Sequence, residues 1–219
     1  MKESFAAFVI LGYRRIYYME RVTKISGSIT TEQFLYREIK ITALLFLQGL
    51  TLDEAVQALK KDNLYQFGTE RNIRRIARVC YRRLEALESR EAVEELLNGP
   101  QDGSRLINLY ALARTNGLVW KFLTDLVGEK FVNHDRKLSK VDVNSFISNL
   151  QATNEAASKW KGSTPSHVVQ VLMKILVEAG YLDSIKAETM NNVFPEDLLK
   201  NLIEIHNEQE ILPAFHLKR

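Results

Sequence analysis

The chain is poor in the residues that staple or punctuate a fold: one cysteine, four prolines and ten glycines among 219 residues. A lone cysteine, Cys80, excludes an internal disulfide framework and fits a reducing cytoplasm. The apolar run from Phe5 to Leu11 is too short to span a bilayer, and no small-residue cleavage site follows it. Neither a membrane span nor a signal peptide is expected. Catalytic signatures are missing too. There is no Walker-type glycine loop, no HExxH, no GxSxG, no paired cysteines and no close carboxylates beyond acidic helix surfaces. His134, His167, His206 and His216 are scattered without metal-ligand spacing and read as surface or capping residues. Trp120 and Trp160 read as packing residues. No enzyme, cofactor or metal site is expected.

Charge is present but uneven. The net charge is only +3, yet residues 1–98 carry 16 Lys and Arg against 13 Asp and Glu, whereas residues 99–219 carry 14 of each. The excess concentrates between Thr69 and Leu87. At about 100° per residue, Ile73, Ile76, Ala77, Cys80, Leu84 and Leu87 share one face of a helix, while Arg71, Arg75, Arg78 and Arg82 fall within roughly 60° on the other. Arg74 and Arg83 flank that sector, and no acid lies between Arg71 and Arg83 to pair at i+4. Like charges at these spacings repel, so an unpaired stripe implies a counter-charge from elsewhere. Arginine's planar fork suits phosphate and the guanine edge, which points to nucleic acid. The plainer alternative is pairing with acids of other helices.

The rest reads as helix after helix. Ser28 to Thr31 supply cap-type residues, and Phe34, Leu35, Ile39, Leu44, Leu45 and Leu47 predict a long helix ending at Gly49. Thr51 and Glu54 form a capping box for a short helix from Leu52 to Lys61. A loop follows, anchored by Leu64, Tyr65 and Phe67, and Thr69 caps the arginine helix. This order is that of a helix-turn-helix unit with a lengthened loop, whose last helix enters the major groove N-terminus first. Thr69, Glu70, Arg71, Asn72, Arg74 and Arg75 would then lie nearest the bases, with Arg78 and Arg82 on phosphates.

The stretch 98–104, with Gly99, Pro100 and Gly103, is the densest cluster of breakers and reads as a hinge at 99–104. It divides an N-terminal helical domain, 22–98, from a C-terminal one, 105–219; residues 1–21 form an N-terminal extension. In the second half, Leu106 to Leu112 and Leu118 to Phe131 predict apolar helices, and Ser139 with Asp142 caps another. Thr164 and Pro165 start one that ends at Gly180. Tyr181 to Ile185 predicts the short strand of a minor β-wing. The expected fold is all-α, two subdomains built of helix-turn-helix-like three-helix units. Lys159, Lys161, Ser163, Thr164, Ser166, His167 and Lys174 form a second candidate DNA-binding patch, with ordinary polarity at a helix start as the alternative.

The segments from Ile29 to Leu87, LTDLVGEKF, Ala157 to Ser184 and the closing ILPAF together resemble the BrxA family of bacterial BREX phage-exclusion systems. The likeness runs from about residue 22 to the C-terminus and rests on the order of segments. It implies an all-α DNA-binding protein without known catalysis. It also implies action beside a DNA methyltransferase, an ATPase, a phosphatase-like protein and a small accessory protein. No site residue carries over; the candidate DNA-binding residues come from the arginine pattern alone. The expected function is a monomeric accessory protein that binds double-stranded DNA. A protein-interaction adaptor within the complex and an RNA-binding all-α module are the alternatives.

Overall fold

The computed structural model describes residues 25–218, so the extension read at 1–21 lies outside the described residues. Among the described residues twelve α-helices follow one another: α1 (Ile29–Glu32), α2 (Tyr36–Leu47), α3 (Leu52–Lys61), α4 (Glu70–Ala86), α5 (Arg90–Asn98), α6 (Gln101–Thr115), α7 (Gly117–Phe122), α8 (Glu129–Val132), α9 (Lys140–Thr153), α10 (Glu155–Ser158), α11 (Thr164–Glu178) and α12 (Asp197–Ile205). A π-helical turn, Leu123–Gly128, joins α7 to α8, and a 3-10 segment, Gln209–Phe215, follows α12. Among the described residues there is no strand, only one antiparallel bridge between Lys137 and Thr189. The fold is all-α.

Half of the described helices start where short polar side chains replace the missing amide acceptors. Thr51 with Glu54, and Ser139 with Asp142, form full capping boxes. Thr69, Ser89, Asn116 and Asn154 accept first-turn amides. Four places depart from the sequence pattern. First, α2 begins at Tyr36 rather than Phe34, because Leu35 is left-handed (φ 55°) and the Phe34 carbonyl is held by Arg83 and Asn108. Second, Ser163 rather than Thr164 occupies the capping position of α11. Third, in the stretch read as a hinge only Gly99 and Pro100 lie outside a helix; Gln101 opens α6, with Gly103 and Ser104 buried in it. Last, the expected β-wing is absent. At Tyr181–Ile185 the chain turns back, the Tyr181 and Leu182 amides donating to the Leu176 carbonyl after Gly180 (φ 89°), so the donors a strand needs are already spent on closing α11.

Burial of apolar faces then joins the helices. α2 packs on α4, α5 and α6, and α3 and α6 pack on α4. One contiguous set of buried side chains runs from Ile25 to Phe215. In the loop before α4, Tyr65 is the anchor, its hydroxyl 2.5 Å from Thr42 Oγ1, whereas Leu64 is exposed. The π-helical turn packs against the 3-10 segment: a Cβ on Gly128 would lie 3.2 Å from the Ala214 nitrogen and 3.1 Å from the Leu123 oxygen. Trp120 is buried, as expected of a packing residue, and donates to Glu210 Oε1 at 3.0 Å. No helix among the described residues is long and apolar enough to cross a membrane.

A closed ring of hydrogen bonds ties the two ends of this core. Arg114 can only donate, so His206 Nε2, 3.3 Å from its Nη1, accepts. The His206 proton therefore sits on Nδ1 and goes to the Tyr110 hydroxyl at 2.8 Å. Tyr110 donates to Glu208 Oε2 at 2.5 Å, and Arg114 Nε donates to Glu208 Oε1 at 3.1 Å. The remaining donors of Arg114 reach the Ala86 carbonyl and Glu88. His206 is thus not the surface residue its isolation in sequence implies.

Burial, and then the Arg114 cation, push the His206 pKa down to about 3. The unfolded chain takes up that proton below about pH 6.5 while the folded one does not, so stability is full above pH 6.5 and falls as pH drops toward 3. Glu208, raised by burial, works in the opposite sense only in the carboxylate range. Thermal melts between pH 7.5 and 5.5 should show a loss of at most about 1.4 kcal/mol, reduced where solvent screens the ring's exposed edge. His206→Gln should flatten that slope; an unchanged slope would assign it elsewhere.

Candidate nucleic-acid interface

The arginine helix forms as its sequence dictates. Thr69 Oγ1 accepts from the Asn72 amide, and Ile73, Ile76, Ala77, Cys80 and Leu84 are buried. Cys80 is core: burial pushes its thiol up to about 11, far from a reactive thiolate. On the opposite face Arg71, Arg74, Arg75 and Arg78 are exposed, together with Thr69 and Asn72.

The six arginines sort into three kinds. Arg83 is 0% exposed, its Nη1 donating to the Phe34 carbonyl at 2.9 Å and its Nη2 to those of Glu32 and Gln33 at 2.6 and 2.7 Å. Among the described residues no carboxylate bridges it, and burial lowers its pKa to about 10, which still leaves it charged at neutral pH. Arg82 is half-buried and paired with Glu32 at 2.7 Å. That pair corrects the expectation of an unpaired stripe at this position: the anion comes from α1, fifty residues back in the chain, where no local spacing reveals it. The others keep their charge open. Arg75 donates to the Thr31 carbonyl at 2.8 Å, and among the described residues no acid bridges Arg71, Arg74 or Arg78. Glu70, at the first turn, is engaged by Lys60 at 2.7 Å, which holds its carboxyl below the usual range with Arg74 adding to the effect.

Beside this face lies a cleft of about 580 Å³, lined by α4 through Asn72, Arg75 and Ile76, by α2 through Tyr36 and Arg37, by α6 through Arg105 and by α11 through Lys174. Lys174, from the second candidate patch, is thereby brought to the first: its Nζ is 3.1 Å from Gln33 Oε1 and 3.4 Å from Glu178. The rest of that patch does not join it. Lys159 pairs with Glu155 at 2.7 Å, Ser166 donates to the Ser163 carbonyl at 2.9 Å, and Lys161, Ser163 and His167 are exposed with Thr164 partly covered. Arg37 and Arg105 had no sequence signal, since each stands near acids of its own helix, Glu38 and Asp102, and forms no stripe of like charge.

A second cavity, about 630 Å³, opens between α8 and the end of the 3-10 segment, lined by Phe131, Val132, Arg136, Pro213 and His216. His216 is drawn inward rather than left on the surface: its Nδ1 accepts from the Val193 amide at 3.2 Å, and burial lowers its pKa. Among the described residues no group of His, Cys, Asp or Glu could hold a metal ion.

The family model described as BrxA matches residues 24–207. The chain is 30% identical over 160 residues to the BREX protein BrxA of Bacillus cereus (strain H3081.97), covering 73% of this chain and 80% of that one. It is 23% identical over 179 residues to the BREX protein BrxA of Paramagnetospirillum magneticum, covering 80% and 87%. Among solved structures, that of an uncharacterized protein from Magnetospirillum magneticum superposes with a TM-score of 0.73 at 19% identity, covering 88% of this chain and 98% of that one. The likeness at that identity is one of fold.

The sorting of the arginines has a measurable consequence. Arg83→Gln strands buried carbonyls at about 1–3 kcal/mol each, so it should cost about 3 kcal/mol or more in urea denaturation. Arg78→Gln, on the open face, should stay within about 0.5 kcal/mol. Equal effects would remove the distinction between tether and surface charge.

Proposed function

This chain belongs to the BrxA family, and on that footing we propose that it is a DNA-binding accessory component of a BREX phage-defence system, without catalysis of its own. One observation carries the reading. Arg71, Arg74 and Arg78 stand exposed on one side of a rigid helix, unbridged by any acid of the described residues, beside a cleft with further cations. Held that way, their repulsion is relieved when a phosphate chain supplies the opposite charge. α3, the loop anchored by Tyr65, and α4 act as a helix-turn-helix unit. The first turns of α4 then present Arg71, Asn72 and Arg74 toward base edges, and Arg75 and Arg78 to the backbone. Thr69 contributes through its cap. Arg82, bound to Glu32, adds little.

The protein works as a monomer in the cytoplasm, beside the methyltransferase, ATPase and phosphatase-like components of the system. A second reading, an adaptor that docks on those partners, draws support from Val141, Phe194 and Ile205, which are 71%, 77% and 73% exposed.

Binding to duplex DNA in a gel-shift titration should fall steeply with salt, log K against log salt changing by about 0.9 per neutralised phosphate. The combined variant Arg71→Gln, Arg74→Gln and Arg78→Gln should lose most affinity with its melting temperature unchanged. Retained affinity would remove α4 from the interface. A nuclease-resistant pull-down of partner proteins without measurable DNA affinity would favour the adaptor.

A further inference from the structure

We propose that the cleft between α2, α4, α6 and α11 is a phosphate-binding site that takes a backbone phosphate of the nucleic-acid strand lying on α4, so that the footprint extends to Arg37, Arg105 and Lys174. The identity of the ligand's source rests on the DNA-binding reading; the phosphate chemistry of the cleft does not.

Four cations from four different helices line this one cleft: Arg37, Arg75, Arg105 and Lys174. A solvated helix face would not gather them, because each is remote in sequence from the others. Their partners matter more than their number. Arg37 donates to the carbonyls of Tyr65 at 3.1 Å and Leu64 at 3.4 Å, and Arg75 to that of Thr31 at 2.8 Å. A carbonyl orients a guanidinium without cancelling its charge, so both groups are fixed in place and still cationic. Arg105 is the least satisfied: among the described residues its Nε is buried without a partner and the carboxylate that bridges it, that of Asp102, is 3.9 Å away. Its guanidinium stacks 5.8 Å from the Tyr36 ring.

The acids do not balance these charges. Among the described residues only Glu38 and Glu178 are acids lining the cleft, and Glu178 is engaged with Lys174. Four cations less two acids leave a surplus of two positive charges, which matches a phosphodiester with one neighbour or a terminal phosphate. Because the guanidinium groups are already ordered, binding costs little side-chain freedom. The volume, about 580 Å³ with Tyr36 and Phe67 in the wall, exceeds what a bare phosphate fills and leaves room for the attached sugar or base.

The test measures fluorescence anisotropy of the full chain with a labelled duplex across a salt series, and competition by pyrophosphate and by free AMP. Arg105→Gln with Lys174→Gln should weaken duplex binding about tenfold and lower the salt slope by about two, one for each cation removed. Lys174→Gln alone, at an exposed position, should lower it by about one and serves if the double variant does not fold. An unchanged slope in both, with binding still abolished on replacing Arg71, Arg74 and Arg78, overturns the proposal and leaves the DNA reading standing. Pyrophosphate or AMP binding that Lys174→Gln abolishes, in a protein with no duplex affinity, upholds the phosphate site with a free nucleotide as its source and overturns the DNA reading. No binding of any probe overturns both.

Discussion

A single buried guanidinium sets the arrangement of the arginine helix and of everything laid against it. Arg83 turns inward from α4 and gathers the carbonyls of Glu32, Gln33 and Phe34, three consecutive acceptors that no helix or strand satisfies. Asn108 of α6 adds a donor to the Phe34 oxygen at 2.9 Å. The strap between α1 and α2 is thereby fixed on α4 although it has no regular structure of its own. The positions of Glu32 against Arg82, of Thr31 against Arg75 and of Gln33 against Lys174 follow from it.

The same helix therefore divides its charges by the kind of acceptor each one meets. A carboxylate neutralises, as Glu32 does for Arg82; a carbonyl only orients, as at Arg75 and Arg83. Desolvation decides which is tolerable inside. A carboxylate beside Arg83 would add a second buried ion to the cost of the first, whereas polarised carbonyls that had to be satisfied anyway supply acceptors without further charge. On the solvent side that cost vanishes, and Arg71, Arg74 and Arg78 remain open to whatever anion approaches.

The elements themselves were legible because their signals are local. Thr51 with Glu54, Thr69 and Ser139 with Asp142 cap helices where the residues sit three apart, and the apolar stripe from Ile73 to Leu87 is buried as its spacing requires. What failed depended on partners distant in the chain. On a helical wheel Arg83 lies between the apolar face and the charged one, so periodicity cannot say that it is buried; the three carbonyls that admit it lie about fifty residues earlier. Tyr181 and Leu182 have strand-like side chains, but their amides close α11 instead. His206 and His216 looked isolated because their partners, Arg114, Tyr110 and Val193, come from other parts of the fold. The cleft is the extreme case, with one cation from each of four helices.

At the other end of the molecule an interatomic spacing is governed by what residue 128 leaves out. The π-helical turn and the 3-10 segment meet at Gly128 with the Ala214 backbone and the Pro213 ring directly above it. One methyl group there would have to displace main chain rather than the tip of a pliant side chain. The middle of the chain and the 3-10 stretch consequently sit so close that a methyl group at 128 would push the two backbones apart by a few tenths of an ångström.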